Sequence, residues 1–361
     1  MIESLSNSFS VEAGREGIQY RAETLRKQVP ELLVVLGDQM RPRLAEWEVR
    51  DQRERVASSR AAYLADAVTA LSESVHFTAF RGTGLGRPSV APSFQIDNLT
   101  HEALQQYVAN EFVGSRIVVA AVGVDHETLA TNAAKSFGYL PAGTPQAAAS
   151  STYTGGEHLS LGGHGTRVAL AFQGVSFTSE EHLAARALSL LLGGGVQAKG
   201  SPGDGLTSRL YHALTTNPLL RSAASRAVSY TDTGLFGIQG YAAANGSAAA
   251  VTELFAAQLR ALKHDVSDEE AARAVAVARA SLLASTDTRL GALEFLGKQA
   301  LAGNGNYVSP AEYASSTRFA VTSADLKRTA AKILSSNPTL VATGDIAGLP
   351  TIDRVRQLVS S

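Results

Sequence analysis

Cysteine is absent from the 361 residues, which excludes a disulfide framework, a thiolate zinc site and a cysteine nucleophile. An excess of either charge is absent too. The 32 Lys+Arg stand against 33 Asp+Glu with no long block of one sign, so no electrostatic footprint for nucleic acid or anionic lipid is visible. The longest apolar run, Ile117 to Val122, stops at Gly123 and falls far short of the ~20 residues of a membrane span. The opening residues Met1–Ser6 show neither a basic region nor an apolar core, so no targeting signal is read there.

Catalytic signatures are scarce as well. None of the eight histidines (His76, His101, His126, His158, His164, His182, His212, His264) has a second histidine four residues on, so neither H-E-x-x-H nor H-x-x-E-H occurs. His101-Glu102 and His126-Glu127 are expected to be ordinary surface positions near helix starts. No Gly-x-Ser-x-Gly elbow is present, and Gly82-Thr-Gly84-Leu-Gly86 has the wrong spacing for a dinucleotide loop and reads as a turn. No catalytic or metal-ligating constellation can be assembled, and no cofactor is implied.

What is present is apolar material, 45% of residues against 18% charged, enough for one large or two ordinary globular domains. Leu140–Gly156 carries two prolines and a run of small residues. This composition marks 141–156 as a linker between a first domain at 1–140 and a second at 157–361. In the first domain, helices are expected over Glu31–Met40, Leu44–Val75 and Asp97–Glu111, the last capped by Thr100 or Asn98. In the second of these, Val56, Leu64, Ala67, Val68, Leu71 and Val75 recur at helical spacing as a buried stripe. Arg116–Val122 is expected to be a strand.

After the linker, Thr178-Ser-Glu-Glu181, Ser267-Asp-Glu-Glu270 and Ser309-Pro-Ala-Glu312 each place a hydroxyl three residues ahead of a glutamate, the capping-box spacing. Pro310 fits the first helical position of the third. Strands are expected at Arg167–Phe172, Leu235–Tyr241 and Thr339–Thr343. The mixture predicts an α+β protein of two domains.

An internal repeat supports that division. Phe94–Leu104, leading to the run that ends at Gly123, parallels Arg318–Leu326, leading to the run that ends at Gly344, at an offset of 221–222 residues. By this offset Met1 falls inside the second domain's pattern, and the first domain is expected to lack its N-terminal third.

The segment Gly193–Gly205 is the most unusual by composition. A phosphate-loop role fails, because Ala198 precedes Lys199 and a helix rather than a strand comes first. Two roles stay open. Gly193 ends a helix and a mobile loop follows, or Gly193, Gly194, Gly195, Lys199, Gly200, Gly203 and Gly205 let backbone approach a peptide ligand.

Several segments together resemble the mitochondrial processing peptidase and complex III core protein family, a branch of the pitrilysin-type zinc metallopeptidases. These are Ser10–Tyr20 with Val29–Leu33, Phe77–Phe80 followed by Gly84–Arg87, Tyr153–Glu157, Arg209–Tyr211, Ser229–Gly237 and Ala342–Asp345. Val228–Gly237 and Gly344–Pro350 favour the core-protein-two branch. The Gly193–Gly205 loop is similar to the alpha subunit of the peptidase, where such a loop is associated with presequence binding.

Active members carry H-x-x-E-H on an early helix and a further glutamate ligand on the long helix. Counting back from His76–Phe80 places Ser59, Ala62 and Leu64 where those acids stand, and the one acid from Val56 to Leu71 is Asp66, a poor substitute.

The resemblance implies two homologous domains, each a mainly antiparallel sheet packed with helices, the first truncated at its N-terminus. It also implies a non-catalytic structural subunit of complex III, peripheral on the matrix side of the mitochondrial inner membrane. The partners implied are a sister core protein one or beta-type subunit, cytochrome b, cytochrome c1 and the iron-sulfur protein, in a dimer of the whole complex. The missing third of the first domain is expected either upstream of Met1 on the same gene or on a separate N-terminal fragment, and no nucleic acid is involved. The alternative implied is an alpha-type, presequence-binding subunit, itself integrated in complex III.

Overall fold

A computed structural model describes residues 5–143, 150–198, 200–201, 203, 206–243, 247–302, 307–315 and 320–360. The chain forms two compact units from interleaved segments. The first takes residues up to Asp66, the stretch from Pro88 to the linker, and Arg289–Leu301; the second takes Ala67–Arg87, Ser150–Thr288 and residues from Ala302 on.

The first unit opens with a hairpin, β1 (Ser8–Ala13) and β2 (Ile18–Glu23), paired antiparallel with Ala13 opposite Ile18. Gly14 N–H donates to the Gly17 carbonyl at 2.8 Å to close the turn. Helix α1 (Val29–Gln39) starts with Pro30 in its first turn, where the missing N–H costs nothing. The long helix anticipated over Leu44–Val75 is two helices, α2 (Glu46–Ala65) and α3 (Ala67–Ala79). Asp66 breaks them with an extended ψ of 112°.

Only the last two residues of the expected stripe are buried. Leu71 and Val75 are inside, while Val56 and Val68 are exposed and Val49 is the one buried residue of α2. Helix α4 (His101–Glu111) is capped by Thr100, whose hydroxyl accepts from Ala103 N–H at 3.2 Å, and α5 (His126–Phe137) is capped by Asp125. His101 and His126 are thus the first residues of their helices. Helices α1 and α5 meet at Gly37, where a Cβ would run into the Ser136 carbonyl and whose own carbonyl accepts from Tyr139 Oη at 2.5 Å.

The expected strand over Arg116–Val122 does not form; the segment is irregular. Val118 is 42% and Val122 41% exposed, and no ladder reaches it among the described residues. A strand needs a partner for its N–H and C=O groups, and the pattern of apolar residues alone cannot supply one.

The second unit is built on a five-stranded sheet ordered β4-β5-β6-β3-β7: β3 (Gly156–Gly174), β4 (Gln197–Ala198), β5 (Leu220–Ser229), β6 (Gly234–Ala242) and β7 (Thr339–Gly344). β3 runs parallel to β7 from Gly156 opposite Thr339 to Leu161 opposite Gly344. It then doubles back, with Arg167 opposite Thr343 and Ala171 opposite Thr339, so β7 is held along both edges. The second half of β3 pairs antiparallel with β6, and β6 with β5.

Val168, Leu170 and Phe172 of β3 point into the main core with α6 (His182–Leu192), α7 (Arg209–Thr216), α8 (Ala248–Ala261), α9 (Asp268–Thr286), α12 (Ser323–Leu334) and α13 (Ile352–Ser360). Ala169 and Ala171 face the opposite side, where α3 brings Leu71, Val75, Ala79 and Phe80. Small residues at one parity let that helix lie close, while large ones fill the other face. Further helices are α10 (Arg289–Ala302), α11 (Pro310–Ser315) and a single turn at Ser93–Ile96.

The box at Ser267–Glu270 forms at the start of α9, and Ser309 Oγ accepts from Glu312 N–H at 3.2 Å at α11, with Pro310 first in the helix. The box at Thr178–Glu181 does not form. Ser179 Oγ accepts from Glu181 N–H instead, and α6 begins at His182 without a side-chain cap.

Residues 144–149 of the linker lie outside the described residues. The rest of it is tied down rather than loose: Leu85 N–H donates to Ser151 Oγ at 3.1 Å, Thr154 N–H to the Ala79 carbonyl at 2.8 Å, and Tyr153 Oη to the Asn337 carbonyl at 2.7 Å. Burial pushes the Tyr153 phenol well above its usual range, so it stays a donor at any ordinary pH.

Candidate functional site

The glycine-rich segment begins where α6 ends. That helix is buried over nine of its eleven residues, from Leu183 to Leu192, and Gly193 stops it at φ +136°. The Gly193 carbonyl accepts from Ser225 N–H of β5 at 2.9 Å, and its N–H donates back to Ser189 at 2.9 Å. Helix termination is therefore one role Gly193 performs. Two residues of β4 follow, Gln197 opposite Ala223 and Ala198 opposite Ser222. Ala198 and Ser201 then exchange backbone hydrogen bonds at 2.9 Å in a tight turn.

Gln197 is the floor of this loop. It is fully buried, and its Nε2 donates to Ser208 Oγ at 2.7 Å. The same Oγ caps α7 by accepting from Tyr211 N–H at 3.3 Å. A Cβ at Gly193 would run into the Gln197 amide, and one at Gly203 would come within 2.9 Å of its Cγ. Both glycines also have positive φ, so these two positions need glycine for conformation and for space. Gln197 Oε1 and Ser189 Oγ are enclosed with no hydrogen-bond partner among the described residues.

Above this floor Val196 and Leu206 are 57% and 69% exposed. Gly194, Gly195 and Gly200 belong to the same loop, while Lys199 and Gly205 lie outside the described residues. The arrangement can offer a backbone-lined, apolar-flanked surface.

Helix α7 also carries Arg209, whose guanidinium donates to both Glu270 oxygens at 3.1 and 2.9 Å and to the Asp265 carbonyl at 2.6 Å. Those bonds hold the Glu270 carboxyl below its usual range. Since Glu270 is also the box residue of α9, this bidentate pair ties the start of α7 to the start of α9. Beside it, Arg209, His212, Thr216, Asn217, Leu254 and Gln258 line an open cleft of about 540 Å³.

Ser59 and Ala62 are exposed on α2, Leu64 is half-buried, and Asp66 sits at the break before α3. Among the described residues no three His, Asp or Glu converge to hold a metal ion. His76 is buried, but its Nδ1 donates to the Ser72 carbonyl at 2.7 Å and its Nε2 faces Tyr230 Oη at 2.7 Å. It joins α3 to the end of β5.

Gln197 and Ser189 were not singled out by motif. The available signal was a lone serine inside Leu188-Ser-Leu-Leu-Leu192 and a lone glutamine among glycines.

Comparison with known proteins gives a consistent picture. Residues 1–93 match the model of the insulinase (M16) peptidase family, and 98–277 match that of the M16 peptidase inactive domain. The chain is 34% identical to mitochondrial-processing peptidase subunit alpha-2 of Dictyostelium discoideum over 98% of its length and 79% of that protein. It is 28% identical to cytochrome b-c1 complex subunit 2 of Homo sapiens over 98% of its length and 78% of that protein. A chain of complex III2 from Candida albicans, solved with Inz-5 bound, superposes with a TM-score of 0.85 at 17% identity, covering 97% of this chain and 85% of the other. With two duplicated α+β modules and both family models matched in order, the chain belongs to the M16 (insulinase) peptidase family.

Proposed function

We propose that the chain is a non-catalytic structural subunit of mitochondrial complex III, of the core-protein-two type, lying peripherally on the matrix side of the inner membrane. The observation that carries this is its likeness to cytochrome b-c1 complex subunit 2 across 98% of the chain. Supporting it, residues 98–277 match an inactive-domain model, and α2 offers serine, alanine and leucine where active members carry acids. Among the described residues no helix is long and apolar enough to cross a membrane.

Its partners are then a sister core protein one, cytochrome b, cytochrome c1 and the iron-sulfur protein within a dimeric complex. The homologous domains are taken as 1–140 and 157–361, joined by 141–156. Blue-native electrophoresis of the detergent-solubilised membrane is the test: the chain co-migrates with cytochrome b and the sister core subunit, and migration apart from them overturns the assignment.

A second role is favoured by the 34% identity to a processing peptidase alpha subunit and by the Gln197-floored glycine loop. In that role the loop contacts a presequence in the manner of an alpha subunit. Deleting Gly193–Gly205 would then weaken presequence binding by the pair, and unchanged binding rejects it.

A further inference from the structure

One row of side chains crosses the sheet of the second unit on the face away from its main core. Ala198 of β4 lies opposite Ser222 of β5, Ser222 opposite Tyr241 of β6, and Tyr241 opposite Arg167 of β3. Directly opposed residues share a face, so these four stand side by side across four strands. A β-bulge in β5 adds a second arginine to the row. Leu220 faces Ala242 and Ser222 faces Tyr241, which leaves Arg221 as the extra residue, and a bulge re-aims the side chain it carries.

Both guanidinium groups turn to the same phenol. Arg167 Cζ lies 4.7 Å and Arg221 Cζ 5.7 Å from the centre of the Tyr241 ring. The ring is seated on Gly165, at φ +79°, where a Cβ would overlap the phenol. Arg226, four residues beyond Ser222 on the same face, is exposed, as Arg221 is. Among the described residues neither Arg221 nor Arg226 forms an ion pair. The carboxylate of Asp345, just past the end of β7, accepts from Ala347 N–H. Arg221 and Arg226 thus gather charge that no described carboxylate balances, in a chain whose net charge is −1.

We infer that this row is a binding site for a carboxylate-bearing segment of another polypeptide, with Arg167 and Arg221 as its cationic donors and the Tyr241 O–H as a neutral one. A guanidinium fork matches a carboxylate, and stacking on an aromatic ring sets its plane beforehand. That the ligand is a polypeptide follows from position. The row begins at Ala198, inside Gly193–Gly205, so a chain lying along that loop runs beside Arg221, one strand away. The inference goes beyond both roles above, because it sets the charge of what the loop can contact. It also runs against a presequence there: such segments are Arg-rich and acid-poor, and like charges across a contact repel.

Fluorescence anisotropy on the full chain tests this with a pair of labelled probes, a Gly-Ser peptide carrying glutamates at alternate positions and the same peptide with lysines in their place. The glutamate peptide should bind, more weakly as salt is raised, and the lysine peptide should not. Arg221→Gln should weaken that binding about fivefold, the upper end for an exposed ion pair. Arg221→Lys should lose less, because it keeps the charge without the fork. Arg43→Gln makes the same charge change at an exposed arginine of the first unit and should alter binding less than ~2-fold. Absence of glutamate-peptide binding, equal binding of the two peptides, or equal losses in Arg221→Gln and Arg43→Gln overturn the site. Binding of inorganic phosphate or of anionic-lipid vesicles in place of the glutamate peptide overturns its polypeptide ligand.

Chemical protection on the unsubstituted protein guards against a misfolded variant. Phenylglyoxal, an arginine reagent, should modify Arg221 more slowly once the glutamate peptide is bound, and Arg43 at the same rate with or without it, as read by mass spectrometry of the digested chain. Unchanged modification of Arg221 overturns the site even where deleting Gly193–Gly205 weakens presequence binding, so failure here is distinct from failure of the loop-contact role.

Discussion

Ile117–Val122 and Thr339–Gly344 follow the same cap, the same helix and the same spacing, and end in the same left-handed glycine, yet one is a strand and the other is not. Leu340, Val341 and Ala342 are fully buried between the two arms of β3 and the helices on either face. Val118 and Val122 remain more than two-fifths exposed. Intrinsic preference is similar in the two runs, so the difference lies in pairing: β-propensity measures fit to a pleated, half-buried surface, and in the described first unit that surface is not assembled.

The comparison can be broken at its centre. Leu340→Ala should destabilise the second unit by about 2–5 kcal/mol, the range for emptying a packed core site. Its repeat counterpart Val119→Ala should cost below ~1 kcal/mol, as for sites away from packed features. Urea unfolding of the isolated chain reads both.

The glycines come next. Gly344→Ala combines left-handed strain of about 1–2 kcal/mol with a clash against Gly165, an overpacking worth ~1–3 kcal/mol more. Gly123→Ala carries the strain alone, so thermal melts should separate the two variants clearly.

The caps give a smaller contrast. Thr322 and Asp325 form a reciprocal box at α12, whereas α4 has Ala103 where that aspartate would stand. Thr322→Ala should cost ~1 kcal/mol and Thr100→Ala less, because only the first also breaks a reciprocal box.

Smallest is the pH effect. Hydrogen bonds from Thr322 pull the Asp325 carboxyl down to about 2 from 3.8. A carboxyl depressed on folding contributes stability that is present above pH ~4 and fades as pH falls toward 2. Asp325→Asn should flatten that acid limb slightly, since the group is almost wholly solvated.

Helix starts were legible where the capping hydroxyl had no competing bond. Thr100, Ser267 and Ser309 act as their spacing indicates. Ser179 instead accepts from Glu181, two residues on, and α6 starts later. The stripe on α2 and α3 was legible as a pattern but not as a fate: Leu71 and Val75 of α3 lie against β3 and β7, while Val68 of α3 and Val56 of α2 stay exposed. At the candidate site the glycines were visible in composition. Their relation to Gln197 was not, because burial of one amide beneath two left-handed turns depends on β4 meeting β5.

The sequence by itself determined the duplicated module, the capped helices, that no histidine pair within it has the spacing of a zinc-peptidase motif, and the family its segments resemble. All of these are local or periodic properties of side chains. Only the tertiary structure decided which of two equivalent runs becomes a strand, which residues of a long helical stripe are buried, and that Gly193 and Gly203 close over a polar floor. Each of those outcomes depends on a partner distant in sequence, and an N–H, a carbonyl or an apolar face is stabilised only once that partner is in place.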